Sequence, residues 1–437
     1  MFWTIVRKEI LENISGLKFQ VVMLFSCLLI VFSVYIGIES YRGRLGEYDT
    51  AVRDHEDMLR NHPSWPILAS LGYNIDKPPS PLSIIAEGLE GILGRTARID
   101  AVSPVKLEES KYNDNPILAI FGSFDLTFVA RIVLSLFAIL FSYDAISGEH
   151  ERGTLKLMLA NSIPRDTIIL GKAVGLFLCL AVPLMVPLLI GVLMITFSSS
   201  ISMTGELWAR LLGIMLVFFL YLGCFFTMGI LVSACTHRAS TSFMILLFIW
   251  IASVFVIPRA SVIIAGRITP AMSLQELNSR KNANMQEMMT GLDGAKYQEM
   301  LRKNEKIEAE YSRQIQRQIS LAKNLSRISP AACMTYVILS LADTGTTRHD
   351  RFLTNAKSYK QQFTITVGFM MSDVDFSGMF TRPKKPDISL IPRFKFHEER
   401  LGDAVSRIKV DFIIVGILTV IFFVSAHLSF LRYDASR

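Results

Sequence analysis

The chain carries little with which to do chemistry of its own. No GxxxxGK[ST] phosphate loop occurs, and the nearest glycine clusters, GLDGAK and GILGRT, have the wrong spacing. No segment therefore supplies the backbone cradle that holds the phosphates of ATP. HExxH is absent, because HERG at His150 lacks a second histidine, and there is no GxSxG elbow for a serine nucleophile. The five cysteines, Cys27, Cys179, Cys224, Cys235 and Cys333, form no CxxC pair and no zinc-type spacing. Four of them fall in or beside apolar stretches, so they read as small apolar side chains rather than a disulfide framework. Charge is also scarce. Only 19% of residues are charged and 51% are hydrophobic, which fits a polytopic membrane protein with sizeable soluble parts better than a soluble enzyme. The net charge of +7 suits contact with anionic lipid. With no basic block interleaved with aromatics, it gives no sign of nucleic-acid binding.

What the chain does have is long apolar runs. A helix needs about 20 apolar residues to cross a bilayer, and six stretches qualify: 17–38, 116–143, 168–197, 207–235, 243–265 and 410–431. The first follows Arg7, Lys8 and Lys18, as in a signal peptide, but its run is too long and no small-x-small site follows, so it is read as a retained span. The expected fold is an all-α polytopic membrane protein with six transmembrane helices. Residues 1–16 precede them as an amphipathic interfacial helix, with Phe2, Trp3, Ile5, Val6, Ile10 and Ile14 among Arg7, Lys8, Glu9 and Glu12. Basic residues in the short loops orient the spans. Arg152, Lys156, Arg165 and Lys172 follow span two, His237 and Arg238 follow span four, and Arg432 and Arg437 lie in the tail at 432–437. These sit on one side, which the positive-inside rule makes the cytoplasm, with both termini. Two long insertions, 39–115 and 266–409, then lie outside and are expected to be mainly helical (α or α+β). The second opens with apolar residues at helical spacing, Tyr297, Leu301, Ile307, Tyr311, Ile315 and Ile319. TGLDG at 290–294 breaks that pattern, which suggests a helical hairpin. The short run AACMTYVILSLA after Pro330 is expected to pack on the outer domain or the membrane surface rather than to span.

Some polar residues in the spans invite a role. Arg131 lies midway along span two and Asp125 about two turns nearer the outside. A charge there must face the bundle interior or a water-filled path, which admits a pathway contact or a structural polar pair. Pro183 and Pro187 should kink span three, and Gly171 and Gly175 form a small-xxx-small pair for close helix contact. Methionines cluster at Met285, Met288 and Met289 and at Met370, Met371 and Met379. Thioethers are soft metal ligands but more ordinarily packing groups, so no metal site is expected.

The most informative stretch is the charged loop between spans two and three, YDAISGEHERGTLKLMLANSIPRDTIILGK from Tyr143. It resembles the signature of permease subunits of type-two ABC exporters through Asp144, Ser147, Gly148, Glu149, Glu151, Arg152, Gly153, Thr154 and Leu155, then Pro164, Arg165, Gly171 and Lys172. NPILAIFGSFDLTFVA from Asn115, LADTGTTRHDRFL from Leu341, IPRFKF from Ile391 and the ending FFVSAHLSFLRYDASR resemble a subgroup with large outer domains. Arg131 is not part of that pattern. The resemblance implies that loop 144–167 contains a coupling helix docking on a separate ABC ATPase subunit. That partner would bind ATP and Mg, and this chain would carry no cofactor. It implies a second permease copy, as a homodimer or paralogous heterodimer, in the bacterial cytoplasmic (inner) membrane, with lipid and an extracytoplasmic protein as further partners. The expected work is export or extracytoplasmic mechanical work. The rival is a non-transporting scaffold or sensor whose outer domains bind a partner.

Overall fold

A computed structural model describes residues 2–61, 64–90, 93–101, 105–108, 125–160, 164–289, 294–372 and 390–432. Six helices in it are long and apolar enough to cross a membrane. Helix α1 (Phe2–Ile14) stops at Ser15–Gly16, and α2 (Leu17–Asn61) then runs without a break for 45 residues. The sequence places the end of the first span at residue 38, but no proline follows to stop the helix there, and the pair Arg42–Glu39 at 2.7 Å supports the continuation. The first span thus continues as a stalk of the first insertion. Gly37 lets the stalk lie against the 3-10 turn Pro81–Ile84, where any Cβ would overlap the Ile84 carbonyl.

The second span, α4, follows the short helix α3 (Trp65–Leu71) and is described from Leu126. It comprises Leu126–Val129, a π-helical turn Ala130–Leu134 and Ser135–Ser142. Its expected opening at 116–124 lies outside the described residues. Two short helices follow, α5 (Ser147–Glu151) and α6 (Thr154–Ala160), and then α7 (Arg165–Thr196). Helix α7 runs on through Pro183 and Pro187. Pro187 has no N–H for the carbonyl of Pro183, and Ser26 Oγ of α2 donates to that carbonyl instead, at 2.7 Å. The fourth span is α8 (Gly205–Cys235). The fifth, α9, comprises Ala239–Ile251, a second π turn Ala252–Val256 and Ile257–Ile268.

The second insertion begins as the expected helical hairpin, α10 (Leu274–Met289) and α11 (Gly294–Ser326), whose turn at 290–293 lies outside the described residues. Lys281–Glu308 and an Asn284–Asn304 hydrogen bond of 2.8 Å join its arms. Next comes α12 (Pro330–Leu341), the AACMTYVILSLA run. Its expected contact with the outer domain is confined to its end, where Leu339 meets Gly88 of the first insertion. It packs between α8 and the last span α14 (Leu401–Leu431), with Ala331 to Met334, Val337 and Ile338 all fully buried and Cys333 set against Cys224 and Val415. Ser329 caps it by accepting from Ala332 N and donates to the carbonyl of Ser253 at 2.6 Å, in the π turn of α9. Arg327, at 2.6 Å, and Lys323, at 3.4 Å, neutralise the buried Asp411 of α14.

Helix α13 (Thr346–Ser372) closes the second insertion over a small antiparallel sheet of the first: β1 (Tyr73–Asp76), β2 (Thr96–Ile99) and β3 (Lys106–Glu108), in the order β1-β2-β3. Trp65, Leu68, Ile75 and Ile99 share one core with Phe352, Phe363 and Val367. The two insertions therefore form one body. LADTGTTRHDRFL is its knot. Asp343 takes a left-handed φ of 53° and receives Arg348 at 2.6 Å and Arg351 at 2.7 Å. Arg348 also reaches Glu90, and Arg351 reaches Glu399. Arg210 of α8 joins in by donating to the carbonyls of Leu341 and Glu399.

Candidate functional site

The loop after α4 is built from its ends inward. Gly229 of α8 leaves room for Ser142, whose side chain a Cβ at that position would overlap. One turn further along α8, Ser233 Oγ accepts the backbone N–H groups of Ile146 (3.0 Å) and Ser147 (3.1 Å) and pairs with Ser147 Oγ at 3.1 Å. It thereby satisfies donors that the start of α5 would otherwise leave orphaned. Asp144 is held by Lys18 of α2 at 2.6 Å, and that ammonium lies 4.6 Å from the centre of the Tyr143 ring. Glu151 Oε2 accepts Ala239 N at 3.2 Å and so caps the first turn of α9 from outside. His150 stacks obliquely on His237, ring centres 5.1 Å apart.

The centre of the site is a buried ion triad. Lys172 of α7, 4% exposed, lies 2.9 Å from Glu9 of α1 and 2.8 Å from Glu149 of α5. Glu149 Oε2 is buried with no hydrogen-bond partner. Glycines make the triad reachable. A Cβ at Gly171 would come within 2.9 Å of Ile5, and one at Gly175 within 2.8 Å of the Glu9 side chain. The small-xxx-small pair thus receives α1. That helix buries Ile5, Val6 and Glu9 against α7 and leaves Trp3, Leu11 and Ile14 exposed on its other side.

The sequence motif therefore divides in two. Ser147, Gly148, Glu149 and Leu155 are buried within this chain, and Glu149 is spent on Lys172. Arg152, Gly153, Thr154, Lys156 and Leu157 are exposed at the tip. Gly153, at φ +74°, makes the elbow between α5 and α6 in a conformation that side chains resist. Arg152 Nε returns to the carbonyl of Gly148 at 3.0 Å, and Thr154 Oγ1 to that of Glu149 at 3.2 Å. Glu9, Lys18, Ser233 and Leu157 escaped the motif reading. The signal for Glu9 was present, as an acid one turn from Ile5 on the apolar face of an amphipathic helix.

Asp125 and Arg131 lie apart from this loop. Asp125 caps α4, accepting Phe128 N at 2.8 Å and Glu87 N at 3.0 Å. Arg131 is 5% exposed in the π turn, its guanidinium 5.7 Å from the Phe128 ring centre. Its carbonyl accepts Tyr221 Oη (2.8 Å) and Ser135 Oγ (2.6 Å), and Trp250 Nε1 donates to that same Ser135 oxygen at 2.8 Å. The π turn frees the carbonyl, and the network ties α4 to α8 and α9. Among the described residues no cluster of three or more His, Cys, Asp or Glu could hold a metal ion.

Comparison with known proteins settles what kind of chain this is. The profile of the ABC-2 family transporter proteins matches residues 3–435. The chain belongs to the ABC-2 transporter family. It is a membrane protein and an ABC transporter permease subunit. Among curated relatives, it is 44% identical over 61 residues to the probable ABC transporter permease protein NosY of Stutzerimonas stutzeri. It is 46% identical over 56 residues to the protein of the same name in Pseudomonas aeruginosa. These matches cover 14% and 13% of this chain and 22% and 20% of the relatives, about a fifth of their length.

Proposed function

We propose that this permease couples ATP hydrolysis in a separate ABC ATPase subunit to movement of its spans, with α5, Gly153 and α6 as the docking elbow. The observation that carries this reading is the way the elbow is mounted. Its tip offers Arg152, Thr154, Lys156 and a 70% exposed Leu157, while its base is fastened to α1 and α7 through Lys172, to α8 through Ser233 and to α9 through Glu151. A push on the tip reaches four helices through short contacts, as rigid-body switching requires. The ATPase binds ATP and Mg, and this chain contributes no catalytic group. A second permease copy, identical or paralogous, completes the pathway in the bacterial cytoplasmic membrane. Both termini and the elbow face the cytoplasm, and the outer body faces the other side. Export, or work done on an outer partner, follows from that arrangement.

Purification in mild detergent with the ATPase from the same genome tests the reading. Arg152→Glu with Leu157→Asp changes only exposed side chains. It is expected to release the ATPase and abolish permease-dependent ATP turnover, leaving the fold intact by gel filtration. An unaltered complex with unaltered turnover sinks the coupling assignment and favours the scaffold reading.

A further inference from the structure

The outer body contains a cavity of about 760 Å³ between the outer end of α2, the strand β1 and residues 391–394. Helix geometry fixes its height. Tyr48 and Arg60 lie ten and 22 residues beyond Ile38, where the apolar run of the first span ends. At 1.5 Å per residue the cavity occupies a zone about 15 to 33 Å past that point. A ligand there arrives through water and not from the bilayer core.

The walls are preformed. Tyr359 Oη donates to the Pro392 carbonyl at 2.6 Å, and the Phe394 ring packs edge-on against Tyr359, with centres 5.5 Å apart. This fixes residues 391–394 opposite the helix. On the floor, Asp76 is engaged by His55 Nδ1 at 2.6 Å and by the Thr96 hydroxyl at 2.8 Å. Two guanidinium groups remain. Arg60 and Arg393 both line the cavity, both are exposed, and neither makes an ion pair or hydrogen bond among the described residues. Glu56 precedes Arg60 by one turn, yet the two form no ion pair within 4 Å. Val52, Leu59, Ile75, Ile391 and Phe394 supply apolar surface, and Tyr48, Tyr73 and Asn74 add polar edges.

We infer that this cavity binds an amphipathic organic anion. A carboxylate or phosphate group meets Arg60 and Arg393, and an apolar body lies on Val52, Leu59, Ile75 and Phe394. The size is that of a small-molecule site, and a mostly apolar lining with a few convergent charges is the composition such sites have. Guanidinium groups pair bidentately with carboxylate and phosphate, so two of them select for negative charge. Asp76 keeps its negative charge, but its oxygens are taken by His55 and Thr96, so the two guanidinium groups are the ones left to meet an incoming anion. This inference does not rest on the coupling assignment, since it concerns binding alone.

The test uses the full chain in nanodiscs. N-dansyl-phenylalanine supplies a carboxylate on an aromatic body, its carboxamide is the neutral control, and 1-naphthyl phosphate carries the alternative anionic group. Saturable binding of at least one anion above empty nanodiscs is expected, and its identity says which anionic group the site prefers. The carboxamide should bind at least tenfold more weakly than the acid if the acid is the ligand. Arg60→Gln with Arg393→Gln, both exposed and harmless to the fold, should weaken the anion at least tenfold, and Val52→Trp should block it by filling the cavity. No saturable binding of either anion, a carboxamide that binds as well as the acid, or a double variant with unchanged affinity overturns the inference.

Discussion

Lys172→Met removes the one cation between Glu9 and Glu149 while keeping the length of the side chain. Both carboxylates are nearly sealed from water, at 4% and 6% exposure. Breaking a buried ion pair by deleting one partner costs about 3–5 kcal/mol, because the other charge stays behind without water or a counter-charge. Here two carboxylates stay behind, so the upper end of that range applies, and the contact that gives way first is α1 on α7. Cys179 reports that opening. It is 2% exposed beneath α1, its sulfur 3.8 Å from the Ile10 carbonyl. In a background with Cys27 and the exposed Cys235 replaced by serine, attack by a thiol reagent on Cys179 should accelerate in proportion to the open population. At 1.4 kcal/mol per factor of ten, the upper end of that range is an acceleration of about three to four orders of magnitude. Adding Glu9→Gln and Glu149→Gln to Lys172→Met removes the stranded charges and should recover most of the protection. Equal labelling rates in Lys172→Met and its parent would refute the reasoning, because α1 would then be held by its apolar contacts alone.

Three further outcomes follow from the geometry. Gly37→Val should separate the stalk from the turn Pro81–Ile84, since a side chain there overlaps the Ile84 carbonyl; a loss of about 2–3 kcal/mol in thermal unfolding is expected, and an unchanged melting curve would count against the packing described. Asp411→Leu strands Arg327 and Lys323 at the top of the last span. Because those cations are partly in water, the cost should be nearer 2 kcal/mol than the fully buried figure, with Arg327→Ala in the same background restoring part of it. His349 gives a pH dependence. Burial, with the Lys77 ammonium adding to it, pushes its imidazole down to about 4 from 6.5. The unfolded chain therefore takes up a proton at higher pH than the folded one does. The stability is full above pH 6.5 and falls as the pH drops towards 4, by up to about 1.4 kcal/mol per unit. Melting temperatures from pH 7 to pH 5 should decline in the parent and decline less in His349→Gln; parallel curves would rule the imidazole out as the cause.

The sequence alone determined the membrane class, the six spans, the hairpin and the place of the signature loop, because these depend on runs and periods that any twenty-residue window contains. Apolar length sets a span whatever surrounds it, and a phosphate loop is either written in consecutive residues or absent. Tertiary structure decided which residues of the loop face outward. Glu149 and Arg152 are three positions apart and both charged on paper, yet one is buried against Lys172 and the other is exposed, because only the first faces the groove where α1 crosses the glycines of α7. It also decided that AACMTYVILSLA lies inside the bundle, where α8 and α14 leave a space for it, and that two insertions separated by four spans share one core. Many contacts of that kind join residues more than a hundred positions apart. No local pattern encodes them, because each half of the contact is an ordinary helix or loop until the other half arrives.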